Sequence, residues 1–165
     1  MTVLVQTLLG DASEARFAGR RRDTLAITSE DARRRRLRAA TAAGTSVAVD
    51  LPRGSFIAHD AVLHDDGQRI VVAERAPEPA LVVRLDASLP TEALLAQSAL
   101  VGHWAGNQHL LMETAGHEHC VRIATSAALM LEAARALDLP GADISIAQLP
   151  FARERAPLVE GHSHG

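Results

Sequence analysis

Apolar and polar residues alternate in short stretches through the first half of the chain. LAIT (Leu25–Thr28), RLRAAT (Arg36–Thr41), SVAVDL (Ser46–Leu51), AVLH (Ala61–His64) and RIVVAERA (Arg69–Ala76) are β-prone runs, separated by AAGT, PRGS and DDG. Gly, Pro and Asp in the separators supply turns, and His64-Asp-Asp-Gly67-Gln has the composition of a hairpin. Strands of this length at this spacing predict a small, open β domain over residues 1–77.

Ala76-Pro-Glu-Pro79 interrupts the pattern and reads as a linker, because two prolines suit neither a helix nor a sheet interior. Beyond it the period changes. ALVVRLD (Ala80–Asp86) reads as a buried strand, and Pro90 opens a helix, TEALLAQSALVGHWAG, that ends near Gly106. QHLLMET (Gln108–Thr114) reads as a strand, Ala115-Gly116 as a turn, and HEHCVRI (His117–Ile123) as the returning strand. Thr125 or Ser126 can cap a second helix, AALMLEAARAL, that stops at Asp138-Leu-Pro140-Gly141, and ADISIAQL (Ala142–Leu149) is a final strand. The expected class is α+β. A ferredoxin-like β-α-β-β-α-β domain over residues 78–150 follows the β domain, and a flexible polar tail occupies 151–165.

Composition narrows the chemistry. A chain of 165 residues buries roughly 68–70% of its unfolded surface, enough for a real core. With only 2% aromatic residues, that core must be built from Leu, Val, Ile and Ala. All 17 basic residues are arginine, which excludes a P-loop lysine, a Schiff-base lysine and a lysine general base. A net charge of −3 provides no general attraction for nucleic acid. The runs Arg20–Arg22 and Arg33–Arg36 have no aromatic platform beside them and read as solvated faces. One cysteine cannot close an internal disulfide. MTVLVQTLLGDASEARF lacks the pattern of a secretory signal, and no stretch reaches the roughly 20 apolar residues of a membrane span. A cytoplasmic protein with no membrane or nucleic-acid partner is expected.

The histidines are unevenly distributed. GNQHLLMETAGHEHC (Gly106–Cys120) holds His109, His117, His119 and the only thiol, with His103 just upstream, and His162 and His164 close the chain. Neutral imidazole is a good ligand for nickel, copper and zinc, and thiolate is a softer one. Two apart in a strand, His117 and His119 would project from one face, with Cys120 pointing the other way. Against catalysis, GxSxG and HExxH are both absent. Three alternatives therefore stand: metal handling, a metal- or thiol-dependent enzyme built on His117, His119 and Cys120, or a protein-interaction scaffold whose histidines are incidental. His59 and His64 have no partners evident in the sequence and read as surface residues.

Several motifs together carry a resemblance. Leu51-Pro-Arg-Gly54 follows RLRAATAAGTSVAVD, AERAPEPALVVR crosses between the two halves, and Gly106-Asn-Gln-His109 follows a helix of small residues. Over roughly residues 20–151 the chain resembles the UreE family of urease accessory proteins, which are nickel metallochaperones. The resemblance implies an N-terminal β domain that engages partners and a ferredoxin-like domain that forms a homodimer. It implies that His109 and its symmetry mate bind Ni²⁺ across the two-fold axis, with Zn²⁺ or Cu²⁺ able to take the same ligands. It also implies that His162 and His164 serve as capture ligands. The implied partners are a urease accessory GTPase and the apo-urease assembly complex, and no reaction is catalysed. The family's HLGNRH reads Trp104-Ala-Gly-Asn-Gln-His109 here, so the earlier histidine and the arginine are missing and His103 is one place off. Where some members carry a further histidine this chain has Thr125-Ser126-Ala127, leaving His117 and His119 as the auxiliary candidates.

Overall fold

A computed structural model describes residues 2–152. His162, His164 and all of the expected tail except its first two residues lie outside the described residues. The chain is mostly strand with two α-helices, and it divides into two compact units at the junction of Ala76 and Pro77.

The first unit contains β1 (Thr2–Val5), β2 (Arg21–Ile27), β3 (Arg36–Ala40), β4 (Ser46–Asp50), β5 (Val62–Asp65) and β6 (Arg69–Arg75). They form two three-stranded sheets, β1-β4-β3 and β2-β6-β5. β1 runs parallel to β4, a pairing that no tight turn can make. The alternation in β1 is hidden in the sequence because its outward residue Leu4 is itself apolar and 61% exposed. Val3, Val5, Val47 and Val49 turn inward and meet Leu25, Ile27, Ile57, Leu63 and Val71 in one core, with no aromatic side chain fully buried among them.

A buried carboxylate holds the β3–β4 turn. Thr41 Oγ1 donates to Asp23 Oδ2 at 2.7 Å, the Ala43 N–H to Oδ1 at 3.0 Å, and Thr45 Oγ1 to Oδ2 at 3.2 Å, with Arg69 Nη1 3.5 Å away. Burial pushes the Asp23 carboxyl upward. The three hydrogen bonds and Arg69 outweigh that effect and hold it below the usual carboxylate value.

The second unit contains β7 (Pro77–Arg84), α1 (Thr91–Asn107), β8 (Met112–Ala115), β9 (Glu118–Arg122), α2 (Ala127–Arg135) and β10 (Asp143–Pro150). The sheet order is β10-β7-β9-β8, antiparallel throughout. Leu81, Val83 and Val121 pack with Val101 and Ala105 of α1 and Met130 and Ala134 of α2. Ser126 caps α2, its hydroxyl accepting from the Leu129 N–H at 3.5 Å.

Three expectations require correction. Pro77 and Pro79 are strand residues, paired with Pro150 and Gln148. β9 reaches only as far as Ala80, and the Pro79 carbonyl accepts from the Ile123 N–H at 2.9 Å. Pro79 thus lies just past the last β7–β9 pair, Ala80 with Arg122, where a proline breaks no interior rung of the ladder. Phe151 is not part of a polar tail: it is 2% exposed and packs with Ala80 and Leu111. Residues 108–111 are not strand, because α1 ends in a tight cap that consumes them.

Candidate functional site

The end of α1 positions His109. The His109 N–H donates to the Gly106 carbonyl and the Leu110 N–H to the Ala105 carbonyl, both at 3.0 Å. These are the paired bonds of a Schellman cap, with His109 at the left-handed position and Leu110 packed back into the core that holds Ala105. His109 has φ +54°. Glycine is the usual occupant of the left-handed position in such caps, because an L side chain there costs roughly 1–2 kcal/mol. The helix end thus spends conformational energy to present an imidazole, and that imidazole is exposed.

The other histidines have different surroundings. His103, on the exposed face of α1, has Nε2 2.9 Å from the Asn107 amide nitrogen, which occupies that lone pair. His117 lies in the β8–β9 turn and is exposed. His119, expected to share a face with His117, does not. It is 2% exposed, with Nε2 3.2 Å from Ser98 Oγ of α1 and Nδ1 3.0 Å from Thr114 Oγ1 of β8. Burial lowers its pKa and keeps the ring neutral. Both nitrogens being bonded, His119 ties the helix to the sheet and presents no lone pair to a cation. The strand expected over HEHCVRI is shorter by one residue at each end: His117 is in the turn, so the two histidines do not share strand phase.

Cys120 points to the opposite side of β9 from His119, and Sγ donates toward Glu118 Oε1 at 3.6 Å. Burial, followed by Glu118 and Glu113, pushes the thiol up to about 11. A thiol held this far from ionising is neither a nucleophile nor a ready ligand near neutrality, and the thiol–imidazole pair does not form. Among the described residues no three His, Cys, Asp or Glu side chains converge to hold an ion. His109 is thus an exposed imidazole that belongs to no such group among the described residues.

A further feature lies on the helix itself. On the exposed side of α1, which also carries His103, Leu95 is 66% and Leu100 41% exposed. Sequence reasoning located His109 but missed its backbone state. The Gly106-Asn107 pair before it was the available signal of a helix end. Ser98 and Thr114 carried no signal, since only the fold brings them to His119.

Residues 5–76 match the family model described as the UreE urease accessory protein, N-terminal domain. The chain is 30% identical over 122 residues to Urease accessory protein UreE 1 of Pseudomonas syringae pv. syringae, covering 69% of this chain and 79% of that protein. The protein of the same name from Pseudomonas syringae pv. tomato matches at the same identity and coverage. Urease accessory protein UreE of Paraburkholderia xenovorans is 31% identical over 147 residues, 88% of this chain and 59% of that protein.

Proposed function

The chain belongs to the UreE family of urease accessory proteins, and from that premise we propose that it carries Ni²⁺ to apo-urease as a homodimer. The family is one of accessory chaperones of urease maturation, not enzymes. The carrying observation is His109: an exposed imidazole at a strained helix cap, outside any three-residue ligand group among the described residues.

One imidazole holds a divalent ion weakly, and two from separate copies hold it better. A two-fold axis beside the end of α1 would supply the second His109 and cover Leu95 and Leu100, since an isologous contact uses the same patch on both subunits. Such a site keeps coordination positions open to water or an incoming ligand, which lets the cargo leave. In this reading the second unit is the ferredoxin-like dimerisation domain and the first engages the urease accessory GTPase and the apo-urease assembly complex in the cytoplasm. The exposed His117 and the chain-end His162 and His164 act as additional capture ligands.

Calorimetric titration with Ni²⁺, paired with light scattering, tests this. A dimer that binds one tight ion per two chains, with that site lost in His109→Ala, is the expected result. A monomer, or a His109→Ala variant with unchanged affinity, would overturn it.

A further inference from the structure

The outer face of the β1-β4-β3 sheet is left unused by the carrier reading. Leu4, Ala48 and Arg38 lie side by side in one cross-strand row, and Asp50 and Arg36 form the next. The central position is an alanine between two long side chains, so the row dips in the middle. The result is a groove of about 290 Å³ lined by Leu4, Ala48, Arg36, Arg38 and Asp50.

Its charge is one-sided. Asp50 is shared by Arg35 and Arg36, at 3.4 and 3.1 Å. Arg34 pairs with Glu30 and Asp31. Arg38 reaches no carboxylate among the described residues, although the chain as a whole carries −3. Leu4, at 61% exposure, forms the other wall. An apolar floor, one apolar wall and an unmatched guanidinium fit an extended ligand that is apolar at one position and anionic two residues on, since alternate residues share a face. Nucleic acid fits less well, since no aromatic ring lines the groove for a base to stack on.

We propose that this groove docks an extended acidic segment of a partner protein, with an apolar side chain on Ala48 against Leu4 and a carboxylate on Arg38. The proposal deepens the partner-engaging role given above to the first unit and rests on it. Arg38, two residues beyond the arginine run, serves recognition, while Arg34, Arg35 and Arg36 are engaged by the chain's own carboxylates.

The test uses the full chain and a fluorescein-labelled peptide, Leu-Ser-Asp-Ser-Leu-Ser-Asp, whose leucines and aspartates share one face when extended, read by fluorescence polarisation. Binding is expected, weakened about tenfold or more by Arg38→Glu and by Ala48→Phe, which fills the groove without changing charge. Circular dichroism confirms that both variants fold, and Ni²⁺ titration of each is expected to match the parent. A lysine–leucine peptide is expected not to bind. Unchanged peptide affinity in both variants overturns the groove while leaving partner docking elsewhere on the unit intact. Absence of peptide binding with normal Ni²⁺ uptake overturns the acidic-segment proposal and spares the carrier. Equal binding of a single-stranded oligonucleotide with the same Arg38 dependence reassigns the face to polyanions. A change of oligomeric state in Ala48→Phe reassigns it to a second copy. Either result ends the proposal.

Discussion

Nε2 of His119 sits 3.2 Å from Ser98 Oγ, so a strand and a helix of the second unit are joined through a buried imidazole. Thr114 Oγ1 takes the other nitrogen at 3.0 Å. A histidine in the middle of a histidine-rich segment is thus a packing residue, whereas His109 and His117 keep exposed imidazoles.

Removing His119 should damage the fold rather than the carrier chemistry. His119→Ala deletes two hydrogen bonds and the packing of a buried ring, a loss of about 2–4 kcal/mol. Urea denaturation measures it. Ni²⁺ titration of the folded fraction should match the parent, and loss of the tight site with full stability would contradict this role.

The same residue carries a pH signature. Burial lowers the folded-state pKa of His119, so below the unfolded value of roughly 6.5 the unfolded chain binds more protons than the folded one. Stability should therefore fall as pH drops from about 7.5 to about 5.5, and His119→Ala should remove part of that slope. Thermal melts of both proteins at the two pH values give the comparison.

His109→Gly should separate binding from strain. Glycine adopts a positive φ freely, so the variant should match the parent in stability or gain up to about 1 kcal/mol while losing the tight Ni²⁺ site. His109→Ala keeps the strained backbone and should show no gain. A destabilised His109→Gly would mean that the imidazole packs against something the cap geometry does not reveal.

Loading should weaken in acid. Imidazole coordinates only when neutral, and its reference value is roughly 6.5, so Ni²⁺ affinity should be much lower at about pH 5 than at about pH 7.5. Calorimetry at the two values checks it, and equal affinities would point to ligands other than histidine. Truncation after Pro157 should reduce the number of ions bound per dimer and leave the tight site in place.

Asp23 should govern acid stability of the first unit. Its folded pKa lies below the ordinary carboxylate value, so its contribution is complete above about pH 4 and is lost as pH falls through the lower folded value. Asp23→Ala removes the acceptor of three hydrogen bonds and strands Thr41 and Thr45 beside Arg69, costing about 2–4 kcal/mol in denaturant titrations. A surface-like loss below about 0.5 kcal/mol would show that the turn holds without it.

Local pattern by itself determined much of the element series. Period-2 runs bounded by Gly and Asp located β3 to β6 and the span from Pro90 to Gly106 located α1, whereas His109 was singled out by the family resemblance. The strand and helix patterns depend on neighbours in the chain, which is why they could be read along it. Tertiary structure alone decided the rest. β1 needed β4, more than forty residues away, before Val3 could be told from Leu4 as the inward residue. Pro77 and Pro79 became strand residues because β9 stops short of them. His117 and His119, similar in sequence context, parted because one falls in a turn and the other beneath α1, where Ser98 reaches it. Burial and hydrogen-bond partners are set by which distant elements meet, and alternation along a strand carries no record of what will lie across from it.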